Sequence, residues 1–213
     1  MAFLLFYLPL FVLVPTLVGL IRFKTLDDGH RLFFYYLVLT SLFQITNIFT
    51  IEVTVKTKIH YCCYGVSFIL LFQILHHWAI SYRWKMIFSI ISIICPLIIF
   101  TEFVIRFQTI KIPSYGMLFI SFIFCISALP ILVKYFSHGT LVPWEKSIVL
   151  ILVPLIITFF IGSILQFNYA VVYSPSTHHL FSKAFFIMRF LQLLSYFSFS
   201  IAMLWAPRKE IFI

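Results

Sequence analysis

Residues Ile148–Ile161 read IVLILVPLIITFFI, and Ile87–Phe100 read IFSIISIICPLIIF. Both runs are apolar on nearly every helical face, so neither carries the one-sided stripe of a helix that packs on a soluble core and turns its back to water. Only lipid or other apolar helices can surround such segments. Working outward in both directions, the pattern recurs until little of the chain is left. A spanning helix needs ~20 mostly apolar residues, and seven stretches qualify: 2–21, 32–51, 61–80, 86–105, 115–133, 147–167 and 181–205. The expected fold is therefore all-α: a polytopic membrane protein in which residues 1–213 form one transmembrane helical domain with short loops.

Composition agrees. Of 213 residues, 63% are hydrophobic and 10% charged, and mean hydropathy is +1.11, whereas soluble domains hold roughly a quarter charged residues. A transmembrane barrel would show segments of about ten residues alternating apolar and polar, which these continuous Leu, Ile and Phe runs do not. In lipid the backbone must satisfy its own hydrogen bonds, so helix prevails over the β-propensity of the many branched and aromatic side chains. The first run lacks the basic leader and small-residue cleavage site of a signal peptide and reads as a helix.

Charge sets the expected orientation, because Lys and Arg accumulate on the cytoplasmic side of short loops. One set of helix ends carries Arg22, Lys24, Arg31, Arg83, Lys85, Lys134, Lys146, Arg208 and Lys209. The opposite set carries Lys56, Lys58, Arg106, Lys111 and Lys183. The bias places the N-terminus outside and the C-terminus in the cytoplasm. Tyr82, Trp84, Trp144 and Trp205 fall at the inner helix ends, where amphipathic aromatics settle. The net charge of +9 is scattered rather than striped, which points to anionic lipid head groups and not to nucleic acid.

Reaction chemistry is hard to find. There is no HExxH, no GxSxG and no Asp within a span, and helix seven has no central lysine for a Schiff base. Cys62, Cys63, Cys95 and Cys125 lack CxxC spacing and read as buried apolar residues. Haem ligation needs facing histidines at matched depth; His138, His178 and His179 fall in loops. The histidines read as interfacial groups, with His30, His76 and His77 at the inner surface and His60 at the outer. No cofactor, metal or catalytic residue is expected, and the chain reads as a non-enzyme.

Two sets of residues remain as candidates. Ionisable groups inside a membrane are costly and call for a role. Arg189 lies eight positions into the seventh span, with Gln192 three residues on and so on the same face. Glu102, Glu52 and Gln166 are expected to join them in an outer pocket, as ion-pair partners or as the lining of a ligand site. At the inner side, Arg22, Lys24, Asp27, Arg83 and Lys85 are the expected contacts for a partner.

The run LVGLIRFKTLDDGHRLFFYYLVLTSLFQI, with IRFK at Ile21–Lys24 and LD at Leu26–Asp27, together with the ending SFSIAMLWAPRKE, resembles a group of uncharacterised seven-helix inner-membrane proteins common in Bacteroidetes. Members are often encoded near sensor histidine kinases, so the resemblance implies a sensory or accessory role. The expectation is a sensor, signal relay or scaffold that works through intramembrane contacts with a membrane protein partner or as a homo-oligomer. An anion-attracting channel or transporter subunit is the alternative, and a structural subunit of a larger membrane complex the second.

Overall fold

The computed structural model describes residues 8–49, 53–79, 81–105, 115–137, 141–172 and 178–207, with the backbone alone at 53–57, 60, 166–172 and 178–185. A short 3-10 turn, Leu8–Val12, leads into α1 (Leu13–Arg22). There follow α2 (Asp28–Phe49), α3 (Val53–Trp78), α4 (Tyr82–Ile105), α5 (Tyr115–Ser137), α6 (Pro143–Val172) and α7 (His178–Trp205). The protein is an all-α polytopic membrane protein. Among the described residues, six segments are long and apolar enough to cross a bilayer: Leu8–Thr25, Asp28–Phe49, Tyr82–Ile105, Tyr115–Ser137, Pro143–Leu165 and Phe186–Trp205.

The third helix departs from expectation. It has 26 residues, ample length, but starts at Val53 rather than at Tyr61 and takes in Lys56, Lys58 and His60; Gln73, His76 and His77 lie towards its other end. Helices α2, α4 and α5 all pack on it, and Phe68, Leu71, Phe72, Ile74 and Leu75 are buried. Sixth and seventh helices are longer than predicted, at 30 and 28 residues.

Contacts between helix ends fix the threading. Trp78 packs on His30, with ring centroids 5.4 Å apart. Tyr135 packs on Trp144 at 5.8 Å, and Arg22 bonds the end of α7. The ends of α1, α3, α5 and α7 and the starts of α2, α4 and α6 therefore gather on one side, the basic end, which also holds Lys24, Arg83 and Lys85. Around the bundle, α1 packs on α2 and α7, α2 on α3, α3 on α4 and α5, α5 on α6, and α6 on α7. The ring closes between first and last helices, and α4 sits outside it, leaning on α3.

Lipid tails are as apolar as Leu, so packing and buried polar bonds hold such helices together rather than escape from water. Aromatic rings form the centre: Phe68 and Phe159 are 5.4 Å apart, Phe159 and Phe124 5.3 Å, and Phe124 and Phe72 6.0 Å. Edge and tilted contacts of this kind suit ring quadrupoles. The outer face of α4 presents Ile90, Ile93, Leu97, Phe100 and Val104 to the surroundings, as a helix bathed in lipid should. Cys95 and Cys125 are buried as expected, but Cys63 is half-buried and Cys62 exposed, because Cys62 lies on the side of α3 turned away from its partners.

Candidate functional site

At the basic end, α7 is held by side chains from two other helices. Arg22, the last residue of α1, donates from Nη1 to the carbonyl of Met203 at 2.7 Å and to that of Leu204, and from Nη2 to Ala206 at 3.0 Å. A helix C-terminus leaves carbonyls without intrahelical partners and carries partial negative charge; a forked guanidinium answers both. Ser147 near the start of α6 supplies the second hold, its Oγ bonding the Ala202 carbonyl at 2.8 Å.

Ser147 is itself one link of a chain. His30 Nε2 lies 2.7 Å from Ser147 Oγ, and His30 Nδ1 pairs with Asp27 Oδ1. The sequence places His30 at the surface; the structure buries it completely, at 0% exposure. The reason is local. Asp27 and His30 are three apart at the start of α2, so the carboxylate orients the ring inward, and Trp78 covers it. Gly29 makes room, since a Cβ there would collide with the Trp78 indole. Asp, His and Ser in hydrogen-bonded sequence look like a hydrolase triad, but Ser147 is 0% exposed and no substrate can reach it. The arrangement can tie helices; it cannot attack a carbonyl carbon.

Other predicted residues of this end divide in two. Lys24 is exposed, and its carbonyl accepts from Arg31 Nη2 at 3.2 Å; Arg31 also pairs with Asp28 at 3.7 Å and lies over Phe23. Arg83 is exposed and Lys85 half-buried; the Lys85 carbonyl and Ser89 Oγ meet His76 Nδ1, each at 2.9 Å. Arg22 and Asp27 are thus structural ties, whereas Lys24 and Arg83 point outward.

The opposite half of the bundle contains the intramembrane arginine. Arg189 shares the α7 face of Gln192, Tyr196, Phe199 and Met203, the last three buried, so it faces protein. Its Nη1 donates to Gln192 Oε1 at 3.1 Å. Arg189 lies near Tyr196, which in turn neighbours Tyr64 of α3 and Tyr36 of α2. Nearby, α6 and α7 are joined by Thr158 and Ser195 at 3.2 Å, and Gly162 lets Met188 approach to 3.5 Å of where a Cβ would stand.

Glu102 is not drawn into an ion pair with Arg189; the ion pairs among the described residues are His30–Asp27 and Arg31–Asp28. Its Oε2 instead accepts from the backbone N of Gly116 at 2.9 Å, capping the first turn of α5. Helix α4 leans on α3 and only lightly on α5, far from the α6 and α1 neighbours of α7. Between α4 and α5 an open groove of about 570 Å³ runs past Ile94, Leu97, Thr101, Glu102 and Tyr115. Glu52 and the side chain of Gln166 lie outside the described residues. The sequence reading missed Tyr36, Tyr64 and Tyr196, which look like ordinary apolar-span tyrosines until three helices bring them together.

No family model, curated protein or solved structure matches the chain.

Proposed function

We propose that this protein is a non-enzymatic relay in a bacterial inner membrane, N-terminus outside, which passes a change at its outer half to a membrane partner at its cytoplasmic end. The observation that carries the reading is helix α7. It bears Arg189 and Gln192 at one level and, about four turns further on, ends in carbonyls held by Arg22 and Ser147. A rigid helix with a polar group at one end and polar ties at the other converts a small shift at the first into broken or formed bonds at the second. Exposed Lys24 beside the Arg22 tie and exposed Arg83 at the same end of the bundle are the surface a partner would meet. The resemblance to seven-helix proteins encoded near sensor histidine kinases supports the same role.

The test is to isolate the protein in mild detergent from its own host at native abundance and identify what accompanies it by mass spectrometry. A stoichiometric kinase supports the relay; a respiratory or secretion component favours a structural subunit. A protein that emerges alone removes the partner from the reading.

Arg189 supports a second reading, an anion-attracting channel or transporter subunit, because a guanidinium facing the bundle interior is a receptor for anionic groups. Arg189→Gln should then abolish anion flux in proteoliposomes while expression is unchanged. Equal flux in both proteins rejects it.

A further inference from the structure

We propose that the Asp27–His30–Ser147 chain is a proton-controlled latch on the last turn of α7. The argument is an accounting of protons. An ionised carboxylate only accepts, so the Nδ1 of His30 carries a proton towards Asp27 whatever the state of the ring. The other nitrogen decides the rest. With a second proton, Nε2–H donates to Ser147 Oγ across 2.7 Å. Ser147 then spends its single hydroxyl proton on the Ala202 carbonyl at 2.8 Å. Every polar atom is satisfied and α7 is held. Without that proton, Nε2 is an acceptor and competes with the Ala202 carbonyl for the same hydroxyl proton. Ser147, His30 and Ala202 are all 0% exposed, where a group left without a partner is expensive. One of the two bonds must go, and the stronger base, the imidazole, takes the proton. The last turn of α7 then passes from two anchors to one, Arg22.

The His30 side chain is 1% exposed and that of Asp27 36% exposed, so the Nε2 proton is exchanged with water when the start of α2 transiently opens, and the Nδ1–H bond to Asp27 re-forms in both states. Charged and titratable groups around the ring come from each packed element. They are Arg22 of α1, Lys24 and Asp27 of the connecting segment, Asp28 and Arg31 of α2, His76 and His77 of α3, and Glu145 and Lys146 beside Ser147 on α6. His77 interacts with both aspartates. Helix α7 offers backbone carbonyls among its described residues. Loss of the His30 proton with rising pH therefore releases α7, and acidification re-engages it. The inference stands on this network alone and needs no partner.

The test uses the full chain in nanodiscs between about pH 5 and pH 8, the range in which histidine charge changes. Hydrogen exchange of the peptide spanning 198–206, corrected for intrinsic exchange, reports the hold on α7. In a variant with Trp84, Trp144 and Trp205 changed to Phe, the emission of Trp78 reports the charge on the adjacent His30 ring. H30Q, whose amide donates at every pH, should keep the peptide protected throughout. S147A should leave it unprotected throughout. The wild type should pass from the first pattern to the second as pH rises, in step with the Trp78 signal. Three results overturn the proposal: wild-type protection equal to that of H30Q at every pH, a pH dependence that survives in S147A, or Trp78 emission that does not titrate in this range. If H30Q fails to fold, the comparison of wild type with S147A decides alone.

Discussion

Replacing Arg22 by Gln removes a fork that serves three carbonyls at the end of α7. Hydrogen bonds made by a charged group contribute about 1.5–3 kcal/mol each, net of the water they replace. Leu204 is exposed, and water can take over its carbonyl. Met203 and Ala206 are 0% and 4% exposed, and their bonds are the ones whose loss is felt. Because Arg22 is itself half-exposed, the lower figure applies to both, giving a loss of about 3 kcal/mol. For a chain of this length that corresponds to a melting-temperature fall of roughly 6–12 °C. Arg22→Lys keeps a cation by the negative helix end, worth about 0.3–1 kcal/mol, but its ammonium cannot span the three acceptors. It should lie between Gln and wild type. Unfolding in mild detergent, by heat and by rising SDS fraction, measures both. A loss below about 0.5 kcal/mol for Arg22→Gln, the range of ordinary surface changes, refutes the claim that this residue ties α1 to α7.

Gly29→Ala forces a methyl into the Trp78 indole and should cost about 1–3 kcal/mol, visible in the same assays and accompanied by a change in Trp78 emission. Glu102→Ala removes the carboxylate that caps α5 and should cost about 1 kcal/mol, with faster hydrogen exchange confined to the first turn of that helix; exchange unchanged at Gly116 contradicts the cap. Phe124→Ala opens a void among Phe72, Phe159 and their neighbours and should cost about 3–5 kcal/mol; a loss below about 1 kcal/mol shows that lipid or neighbouring side chains refill the space. These three sites share no partners, so pairs of the variants should add within about 0.5 kcal/mol.

The architecture was readable because a membrane helix declares itself locally: twenty consecutive apolar residues need no knowledge of the rest of the chain. What hid the start of α3 was the same rule, since Lys56, Lys58 and His60 look like loop residues although the helix runs through them. The latch was only half legible. The Asp27–His30 spacing puts both on one face of α2, but the third member stands 117 residues away and nothing in its neighbourhood distinguishes Ser147 from Ser89 or Ser92. Arg22 misled in a different way: a basic residue just past an apolar run is read as a topology marker, and the sequence does not show that it bonds a helix end 181 residues later. Arg189 stood out because charge within a span is rare; its tyrosine neighbours did not, because Tyr is common in apolar spans and only the packing of α2, α3 and α7 makes it polar company.

The closure of the ring by Arg22 also sets an order of events during synthesis. The guanidinium leaves the ribosome about 180 residues before the carbonyls it will hold, which at about 5–20 residues per second is a delay on the order of 10–40 s. Throughout that interval the first helices stand in the bilayer with an open seam along α1, and the seam shuts only when the seventh helix arrives. A chain that stalls or is cut before Met203 cannot close it, so a fragment that lacks the end of α7 keeps that side of α1 uncovered.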